Sequence, residues 1–143
     1  MMPKEILKEV KTQELLSLCL RRQIGAVIVK DGKVVASGHN GNSKKLRPCK
    51  DIGCAKNYFK VRPGQRNELC TGVCAEQRAI IAALKKGIDL NEAKLYCSYS
   101  PCTICSRLLV ELGFSEVHYL RDYGDPLSRQ ILLFGGVKRE KER

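Results

Sequence analysis

The sequence predicts an α/β protein, a three-layer α/β/α sandwich with a mixed five-stranded sheet. Two observations lead to this fold class. An apolar, β-branched segment at 24–30 is followed by the turn signal Asp31-Gly32 and by a second strand-like segment, which indicates an antiparallel hairpin. Helical and strand-like segments then alternate to the end of the chain, which predicts parallel strands with helices on both faces of the sheet.

Each element has its own sequence signal. A helix is expected from Lys4 to Arg22, because apolar side chains recur on one side of it. The hairpin strands are expected at 24–30 and 33–37. The next helix holds Cys74 and Glu76 in its first turn and ends before Gly87. A strand at 94–99, a helix at 101–112, a strand at 116–120 and a helix from Asp125-Pro126 to Phe134 follow. The chain is expected to end with a short edge strand at Val137 and a frayed tail at 138–143.

Length and composition indicate one domain over residues 1–143. Of these 143 residues 43% are apolar, which is enough for a single core. No apolar run approaches the ~20 residues that a membrane span needs, and the N-terminal residues lead into no signal-peptide core. A cytosolic protein is therefore expected. In that compartment the eight cysteines are more often metal ligands than disulfides, the exception being the disulfide-rich proteins of some thermophiles.

The stretch from His39 to Thr71 shows no periodicity, and a structureless loop of this length usually has a function or a hidden constraint. It is also strongly basic. Between Ser43 and Arg66 eight lysines and arginines face Asp51 alone, in a chain with a formal net charge of +11. An anionic partner is expected, either a nucleotide phosphate or a nucleic acid backbone. The alternative is a solvated basic loop.

Three thiols and one carboxylate stand at two predicted helix starts. Cys74 lies two residues before Glu76, and Cys102 and Cys105 are spaced i, i+3 in the segment Pro101-Cys102-Thr103-Ile104-Cys105. Three thiolates occupy three corners of a tetrahedron, which leaves the fourth corner open for water at a catalytic zinc. Glu76 is then a general base and acid rather than a ligand. The positive ends of the two helices favour thiolate over thiol.

This pair of motifs resembles the zinc-dependent cytidine and deoxycytidylate deaminase family, whose signature is His or Cys two residues before Glu, followed by Pro-Cys-x-x-Cys. The turn Gly38-His39-Asn40-Gly41 and the segment 119–136 resemble the deoxycytidylate branch. The resemblance implies a single deaminase domain with one catalytic zinc. It also implies hydrolytic deamination of a cytosine nucleotide, with dCMP to dUMP and ammonia as the favoured reaction.

The same resemblance implies roles for further residues. The backbone N–H of Cys102 and the carbonyl of Ala75 would hold the reacting edge of the base. Asn40 would hydrogen-bond the sugar, and Tyr123 would close over the base. Without the resemblance, Asn40 is equally well explained as a residue that favours the turn, and Tyr123 as an aromatic side chain that packs at the rim of the site after a strand. For the 5′-phosphate the candidates are the basic loop or Lys85 and Lys86. Members of this family are homo-oligomers, so a homo-oligomer is expected.

A second, structural zinc is predicted in a Cys-rich insertion at 42–71. Cys49, Cys54 and Cys70 lie in this insertion, and Cys19 closes the first predicted helix. Four thiolates would complete a closed site that crosslinks the helix, the insertion and the entry to the catalytic helix. The resemblance supports Cys19 and Cys49, whereas Cys54 and Cys70 follow from count and proximity. The alternative for Cys19 is a buried thiol on the helix face.

Two residues depart from the usual deoxycytidylate pattern, Cys74 in place of His and Arg78 in place of Asn. Zinc with three thiolates carries a net negative charge, which weakens it as a Lewis acid relative to a site with His. Arg78 lies at i, i+4 from Cys74. Our hypothesis is that Arg78 hydrogen-bonds a thiolate and balances this charge. The alternatives are a phosphate contact or an exposed helix arginine.

Other functions stay open at the level of the sequence. The substrate could be free cytidine or deoxycytidine, which Cys74 favours, or a base within nucleic acid, which the net charge favours. A different class is a non-catalytic, zinc-stabilised nucleic-acid-binding module, which would need the cysteine clusters and the charge but not Glu76.

Overall fold

A computed structural model describes all residues from Met1 to Arg143, and its centre is one five-stranded sheet. The strands are β1 Gly25–Lys30, β2 Lys33–His39, β3 Lys94–Tyr99, β4 Glu116–Arg121 and β5 Lys138–Lys141. Their spatial order is β2-β1-β3-β4-β5. β1 pairs antiparallel with β2 and β3, whereas β3, β4 and β5 run parallel. The predicted mixed five-stranded sheet is confirmed.

Helices cover both faces of this sheet. They are α1 Lys4–Leu16, α2 Cys49–Ile52, α3 Ala55–Tyr58, α4 Ala75–Lys85, α5 Thr103–Leu112 and α6 Pro126–Phe134, with a 3-10 turn at Asn67–Leu69. Alternate residues of β1 point to opposite faces, as the pleat requires. Ala26 and Ile28 belong to the larger core cluster with α4, α5 and α6, and Val27 belongs to a smaller cluster with Val10 of α1. The three layers are therefore α1, the sheet, and the other three long helices.

The first helix is shorter than the sequence predicts. It ends at Leu16, and Ser17 is extended, with ψ 132°. The Ser17 hydroxyl donates to the carbonyl oxygen of Asn40 and to its side-chain oxygen, at 3.0 and 2.7 Å. These contacts hold the chain off the helical path after Leu16. Leu15, inside α1, is 86% exposed, and Leu18, beyond its end, is 55% exposed. The prediction of a helix to Arg22, with these leucines on its packed side, was wrong.

The charged C-terminal segment is ordered rather than frayed. The edge strand is β5 itself, parallel to β4, while Val137 packs in the core. Glu142 is buried and accepts hydrogen bonds from the N-terminal amine at 3.0 Å and from His118 Nδ1 at 2.6 Å. Pairing of these charged groups explains why a polar sequence holds an edge strand.

The insertion at 42–71 carries local structure that periodicity did not reveal. Two four-residue helices, α2 and α3, and the 3-10 turn divide it into short segments. All eight cysteines of the chain are free thiols. No helix has the length and apolar character that crossing a membrane requires.

Candidate active site

The starts of α4 and α5 bring three thiols together. Cys74 is the N-cap residue of α4, Cys102 is the N-cap residue of α5, and Cys105 lies in the first turn of α5. Their sulfur atoms all lie within 4.8 Å of one another, and Cys102 and Cys105 are buried. A compact set of three thiols at two helix N-termini has the chemistry that a zinc ion selects. The structure brings these three predicted ligands together, and their role as zinc ligands stays a prediction.

Close packing against β2 sets the position of α4. A Cβ at Gly38 would lie 2.7 Å from the backbone nitrogen of Ala79 and 2.8 Å from the carbonyl oxygen of Ala75, so only glycine allows this approach. The Gln77 side chain accepts from the backbone N–H of Cys74 at 2.9 Å and completes a capping box. Ala75 is fully buried. Contact of its carbonyl with a base stays a prediction.

Asp125 sets the start of α5, a role that no sequence pattern had indicated. One carboxylate oxygen accepts from the backbone N–H and the hydroxyl of Thr103, both at 2.7 Å. The other accepts from the backbone N–H of Ser128 at 3.3 Å, which caps α6. One aspartate thus joins the starts of α5 and α6. The sequence signal was the Asp-Pro-x-Ser cap, which accounts for the contact with Ser128 but not for the contacts with Thr103.

Glu76 is a buried acid beside the thiols. Its side chain is on the first turn of α4 and only 4% exposed, and Cys105 Sγ lies 3.7 Å from its Oε2. Burial, followed by the negative charge of Cys102, raises the pKa of Glu76 to about 7. A carboxyl group with a pKa near neutrality can both take and return a proton. The structure therefore puts a single acid where the sequence predicted one.

The three thiols do not share their protons equally. Hydrogen bonds from the Cys105 and Cys74 thiols, together with backbone N–H groups of the first turn, lower the pKa of Cys102. Hydrogen bonds to Cys102 and burial raise the pKa of Cys105 well above its usual value. Without a cation the cluster thus concentrates negative charge on Cys102. A zinc ion requires all ligand sulfurs as thiolates, so metal binding will release protons.

Arg78 does not contact a thiolate, and this part of the prediction was wrong. Its Nη1 donates to the carbonyl oxygen of His39 at 2.9 Å, and its Nη2 donates to the carbonyl oxygens of Gly41 and Asn42 at 3.0 and 3.1 Å. The helix start turns the arginine toward the end of β2 and the turn that follows, where it donates to three backbone carbonyl groups. Arg78 therefore ties α4 to the turn after β2, and no charge-balancing contact to the sulfurs is present.

Asn40 closes the loop between α1 and β1. Its side-chain oxygen accepts from the Ser17 hydroxyl and, at 2.9 Å, from the backbone N–H of Ile24, and its Nδ2 donates to the carbonyl oxygen of Arg22 at 2.7 Å. Both lone pairs of the amide oxygen are used, and one N–H stays available. A sugar contact from Asn40 stays a prediction, and it would use this second N–H.

Tyr123 lies close to the catalytic thiols. Burial and the negative charge of Cys102 raise the pKa of Tyr123 to about 12. Its hydroxyl donates to Asn67 Oδ1 at 3.2 Å, its backbone N–H donates to the Ser100 hydroxyl at 2.7 Å, and the guanidinium carbon of Arg22 lies 5.0 Å from its ring centroid. The tyrosine is fixed at both ends near the site, as a side chain that closes over a base would be. That role stays a prediction.

An arginine-lined cavity opens beside Tyr99, and no sequence pattern had indicated it. Its volume is about 420 Å³, and its walls include Glu14, Ser17, Arg21, Arg22, Tyr99 and Arg121. Arg22 and Arg121 lie 4.6 and 5.6 Å from the ring centroid of Tyr99. Three buried polar atoms have no hydrogen-bond partner, Nη1 of Arg21, Nη1 of Arg22 and Oε1 of Glu14. The two unpaired guanidinium nitrogens can donate to an anion, beside one carboxylate that lines the same cavity.

The residues that the sequence proposed for the phosphate lie elsewhere. Lys86 is exposed and donates to the carbonyl oxygen of Val35 at 2.9 Å, and Lys85 is also exposed. Most of the basic residues of 43–66 are exposed, whereas Lys56 is buried. The signal that could have found the cavity was the pair Arg21-Arg22 directly before β1, on the path that leads from Cys19 to the sheet.

The four remaining predicted ligands lie near one another without forming a compact site. Burial and the charges of Cys54, Cys19 and Cys70, in that order, raise the pKa of Cys49. The four sulfurs nevertheless contain no group of three within 4.8 Å of one another. The backbone N–H of Gly72 donates to Cys70 Sγ at 3.4 Å, a contact that would favour a thiolate. The thiols converge, but their spacing is wider than a bound zinc needs, so the second zinc stays a prediction.

Comparison with known proteins places this geometry in a family. Residues 3–121 match the cytidine and deoxycytidylate deaminase zinc-binding region. The chain belongs to this deaminase family. The deoxycytidylate deaminase of Saccharomyces cerevisiae is 36% identical over 124 residues, and that of Schizosaccharomyces pombe is 32% identical over 123 residues. These matches cover 85% of this chain but 38% of each yeast protein.

The deaminase fold extends over the whole chain. The dCMP deaminase of cyanophage S-TIM5, solved in complex with dCMP and dUMP, has a TM-score of 0.78 and 29% identity to this chain. The likeness covers 99% of this chain and all of the phage chain. The predicted fold class is thereby confirmed against an experimental structure. Family membership also explains the zinc-type arrangement of Cys74, Cys102 and Cys105, which match the family motif.

Proposed function

We propose that the protein hydrolyses dCMP to dUMP and ammonia. The observation that carries this proposal is the position of Glu76, a buried acid at 3.7 Å from Cys105 Sγ within a cluster of three thiols. A carboxylate buried beside metal ligands serves no packing purpose, because burial of a charge costs free energy. The similarity to deoxycytidylate deaminases of yeast and of a cyanophage supports the same reaction.

The chain's own residues account for binding and proton transfer. A zinc ion held by Cys74, Cys102 and Cys105 would lower the pKa of water and supply the nucleophile. Glu76, whose burial raises its pKa, takes a proton from the water and delivers it to ring N3 of cytosine. The water oxygen adds to C4 and becomes a hydroxyl group. Glu76 then takes the proton of this hydroxyl and passes it to the exocyclic nitrogen, the bond from C4 to that nitrogen breaks, and C4 keeps the oxygen as a carbonyl. Water and dCMP thus give dUMP and ammonia in balance.

The arginine-lined cavity favours a nucleotide over a nucleoside. Arg22 lies over both Tyr99 and Tyr123, so a base beneath Tyr123 would extend its sugar and 5′-phosphate toward the cavity. A phosphate there would supply acceptors for the unpaired Nη1 nitrogens of Arg21 and Arg22. Free cytidine would leave these buried donors without partners, which costs binding free energy. The cavity therefore supports a nucleotide over a nucleoside, and the similarity to deoxycytidylate deaminases supports dCMP among the nucleotides.

One assay tests the proposal. The zinc-loaded protein is incubated with dCMP, CMP, deoxycytidine, cytidine and a cytosine-containing single-stranded oligonucleotide, and ammonia is measured, with Glu76→Gln as the control. We expect release from dCMP above all others and none from the Glu76→Gln variant. Preference for the oligonucleotide would instead support deamination within nucleic acid. Binding without turnover of any substrate would refute the enzyme and support a binding module.

We also propose a structural zinc held by Cys19, Cys49, Cys54 and Cys70. The support is the convergence of four free thiols at the base of a basic insertion, where unbalanced thiolates would otherwise repel one another. Metal analysis of the wild type should give two zinc ions per chain. A Cys54→Ser variant should retain about one ion and lose thermal stability, as a lost structural ligand implies. One ion in the wild type would contradict the second site.

A homo-oligomer is the third part of the proposal. Leu127, Leu133 and Phe134 of α6 are 55%, 70% and 84% exposed, and Leu108 of α5 is 39% exposed. Apolar side chains exposed together on neighbouring helices are typical of association surfaces. Light scattering during size-exclusion chromatography should show a mass that is a multiple of 16.0 kDa. A Phe134→Glu, Leu133→Glu variant should shift the mass toward the monomer.

A further inference from the structure

The short helix α3 touches the candidate substrate pocket at two points. Lys56 Nζ donates to Asn67 Oδ1 at 2.8 Å. Its neighbour Asn57 accepts from Arg21 Nε through Oδ1 at 2.7 Å, and Val61 accepts from Arg21 Nη2 through its carbonyl oxygen at 2.6 Å. The insertion is therefore attached both to the arginine-lined cavity and to the 3-10 turn that faces Tyr123.

Lys56 is the buried member of a basic segment. Its side chain is 7% exposed, whereas most other lysines and arginines at 43–66 are exposed. A buried ammonium group is costly unless it has acceptors and neighbouring negative charge. Asn67 supplies the acceptor. Through this contact Lys56 joins α3 of the insertion to the 3-10 turn at Asn67–Leu69.

Asn67 connects Lys56 to Tyr123. Its Oδ1 accepts from Lys56 Nζ and from the Tyr123 hydroxyl at 3.2 Å. An amide oxygen has two lone pairs, so these two donors saturate it and fix the amide orientation. Removal of the lysine would free the Asn67 amide to rotate. The hydrogen bond from Lys56 has a charged donor and is the shorter of the two that Asn67 Oδ1 accepts. Tyr123 would then lose the fixed acceptor that holds its ring near the catalytic thiols.

We propose that Lys56 is a positioning residue that couples the Cys-rich insertion to the substrate pocket, through Asn67 to Tyr123. The coupling rests on the proposed function, in which Tyr123 closes over the nucleotide base. Lys56 touches neither thiol nor substrate, so its effect falls on substrate binding. It sets how firmly the pocket holds the base, and the proton transfers of Glu76 do not depend on it.

The first test compares Lys56→Met with Lys50→Met, an exposed lysine of the same insertion. In Lys56→Met we expect the KM for dCMP to rise about tenfold, the effect of one lost hydrogen bond of a charged donor, while kcat stays within about twofold. Lys50→Met should match the wild type in both constants. Lys56→Arg should recover part of the KM, because a guanidinium group can still donate to Asn67. An unchanged KM in Lys56→Met would overturn the proposal.

A double-mutant cycle separates coupling from general destabilisation. Tyr123→Phe removes the other donor to Asn67 and should raise the KM by a similar factor. The Lys56→Met, Tyr123→Phe variant should then be little worse than either single variant, since all three break one connection. If the KM of the double variant instead rose by the product of the two single effects, the two residues would act independently and the link would be refuted. If Lys56→Met does not fold, Asn67→Ala breaks the same connection at a half-buried position and replaces it in the cycle.

Hydrogen exchange provides a readout that does not need turnover. In the zinc-loaded Lys56→Met protein, peptides that cover 62–69 and 119–125 should exchange faster than in Lys50→Met, with zinc content and exchange of α4 unchanged. Unchanged exchange in both peptides would refute the coupling. A wild type without dCMP turnover would refute the proposed reaction, while the exchange result would still decide on the link.

Discussion

Asp125 accepts two 2.7 Å hydrogen bonds from Thr103, one from the backbone N–H and one from the hydroxyl. Because Thr103 follows Cys102 directly, this aspartate fixes the first turn of α5 and, with it, the direction of two of the three catalytic thiols. The same carboxylate caps α6 through Ser128. One side chain therefore controls the metal-binding helix from outside the metal site.

Replacement of Asp125 by alanine should weaken both the fold and zinc binding. Loss of a helix cap and of a charged acceptor typically costs about 1–3 kcal/mol of unfolding free energy. Asp125→Asn keeps one acceptor oxygen and should show a smaller loss. Urea unfolding and competition with a zinc chelator measure the two effects. Equal zinc affinity in wild type and Asp125→Ala would show that α5 holds its thiols unaided.

Glu76 should make the stability of the metal-free protein depend on pH. Burial raises its pKa from the ordinary value of 4.5 to about 7 in the folded protein. The folded protein therefore binds the extra proton between these values, so the contribution of this group to stability is complete below pH 4.5 and is lost as the pH rises to about 7. The loss amounts to roughly 3 kcal/mol at 1.36 kcal/mol per pKa unit.

Glu76→Gln should remove this component, because a neutral amide does not titrate. The difference in unfolding free energy between wild type and Glu76→Gln, measured in denaturant at several pH values, should therefore change between about pH 4.5 and 7 and level off above that window. A difference that is constant from pH 4 to 8 would mean that the carboxyl group is more hydrated than its burial indicates.

Arg22 should contribute to phosphate binding and not to recognition of the base. Arg22→Gln removes a charged donor from the cavity, so the KM for dCMP should rise about tenfold or more. Turnover of deoxycytidine at saturating and subsaturating concentration should stay the same. Arg107→Gln, an exposed position on α5, is the matched control. Equal losses for dCMP and deoxycytidine would place Arg22 against the base or sugar.

Arg78 should act on stability rather than on proton transfer. Arg78→Gln breaks three hydrogen bonds to backbone carbonyls, and we expect a loss of about 2–4 kcal/mol of unfolding free energy. The pH profile of kcat should keep its shape, since no sulfur contacts the guanidinium group. A shifted pH profile of kcat would instead support a charge-balancing role for Arg78.

Local signals predicted most of the fold. The hairpin at Asp31-Gly32 forms because both turn residues adopt positive φ, 51° and 76°, as the turn type requires. The strand at 94–99 and the helix starts at Cys74 and Asp125 likewise follow from neighbours in sequence. The end of α1 was mispredicted because a distant residue, Asn40, binds Ser17. Side-chain contacts across the fold leave no trace in a periodic pattern.

Within the candidate site, some residues could likewise be identified from short motifs, whereas others are brought together only by the fold. The thiol cluster and Glu76 stand in two short motifs, so their spacing was sufficient to identify them. The arginine-lined cavity needed the fold, because it combines the end of α1 with the ends of β3 and β4, which carry Tyr99 and Arg121. The partners of Arg78 also needed the fold, since helix geometry gave its direction but not the carbonyl groups that it meets.

The contact of Gly38 with α4 limits how this fold can diversify. Even one methyl group at position 38 would collide with the helix backbone, so the acid and the first thiol cannot slide along the sheet to suit another substrate. Variation in substrate range must then come from parts that can be exchanged without moving that helix. The insertion, which reaches the pocket through a few side chains and the backbone carbonyl of Val61, is the part of the chain where such variation can occur.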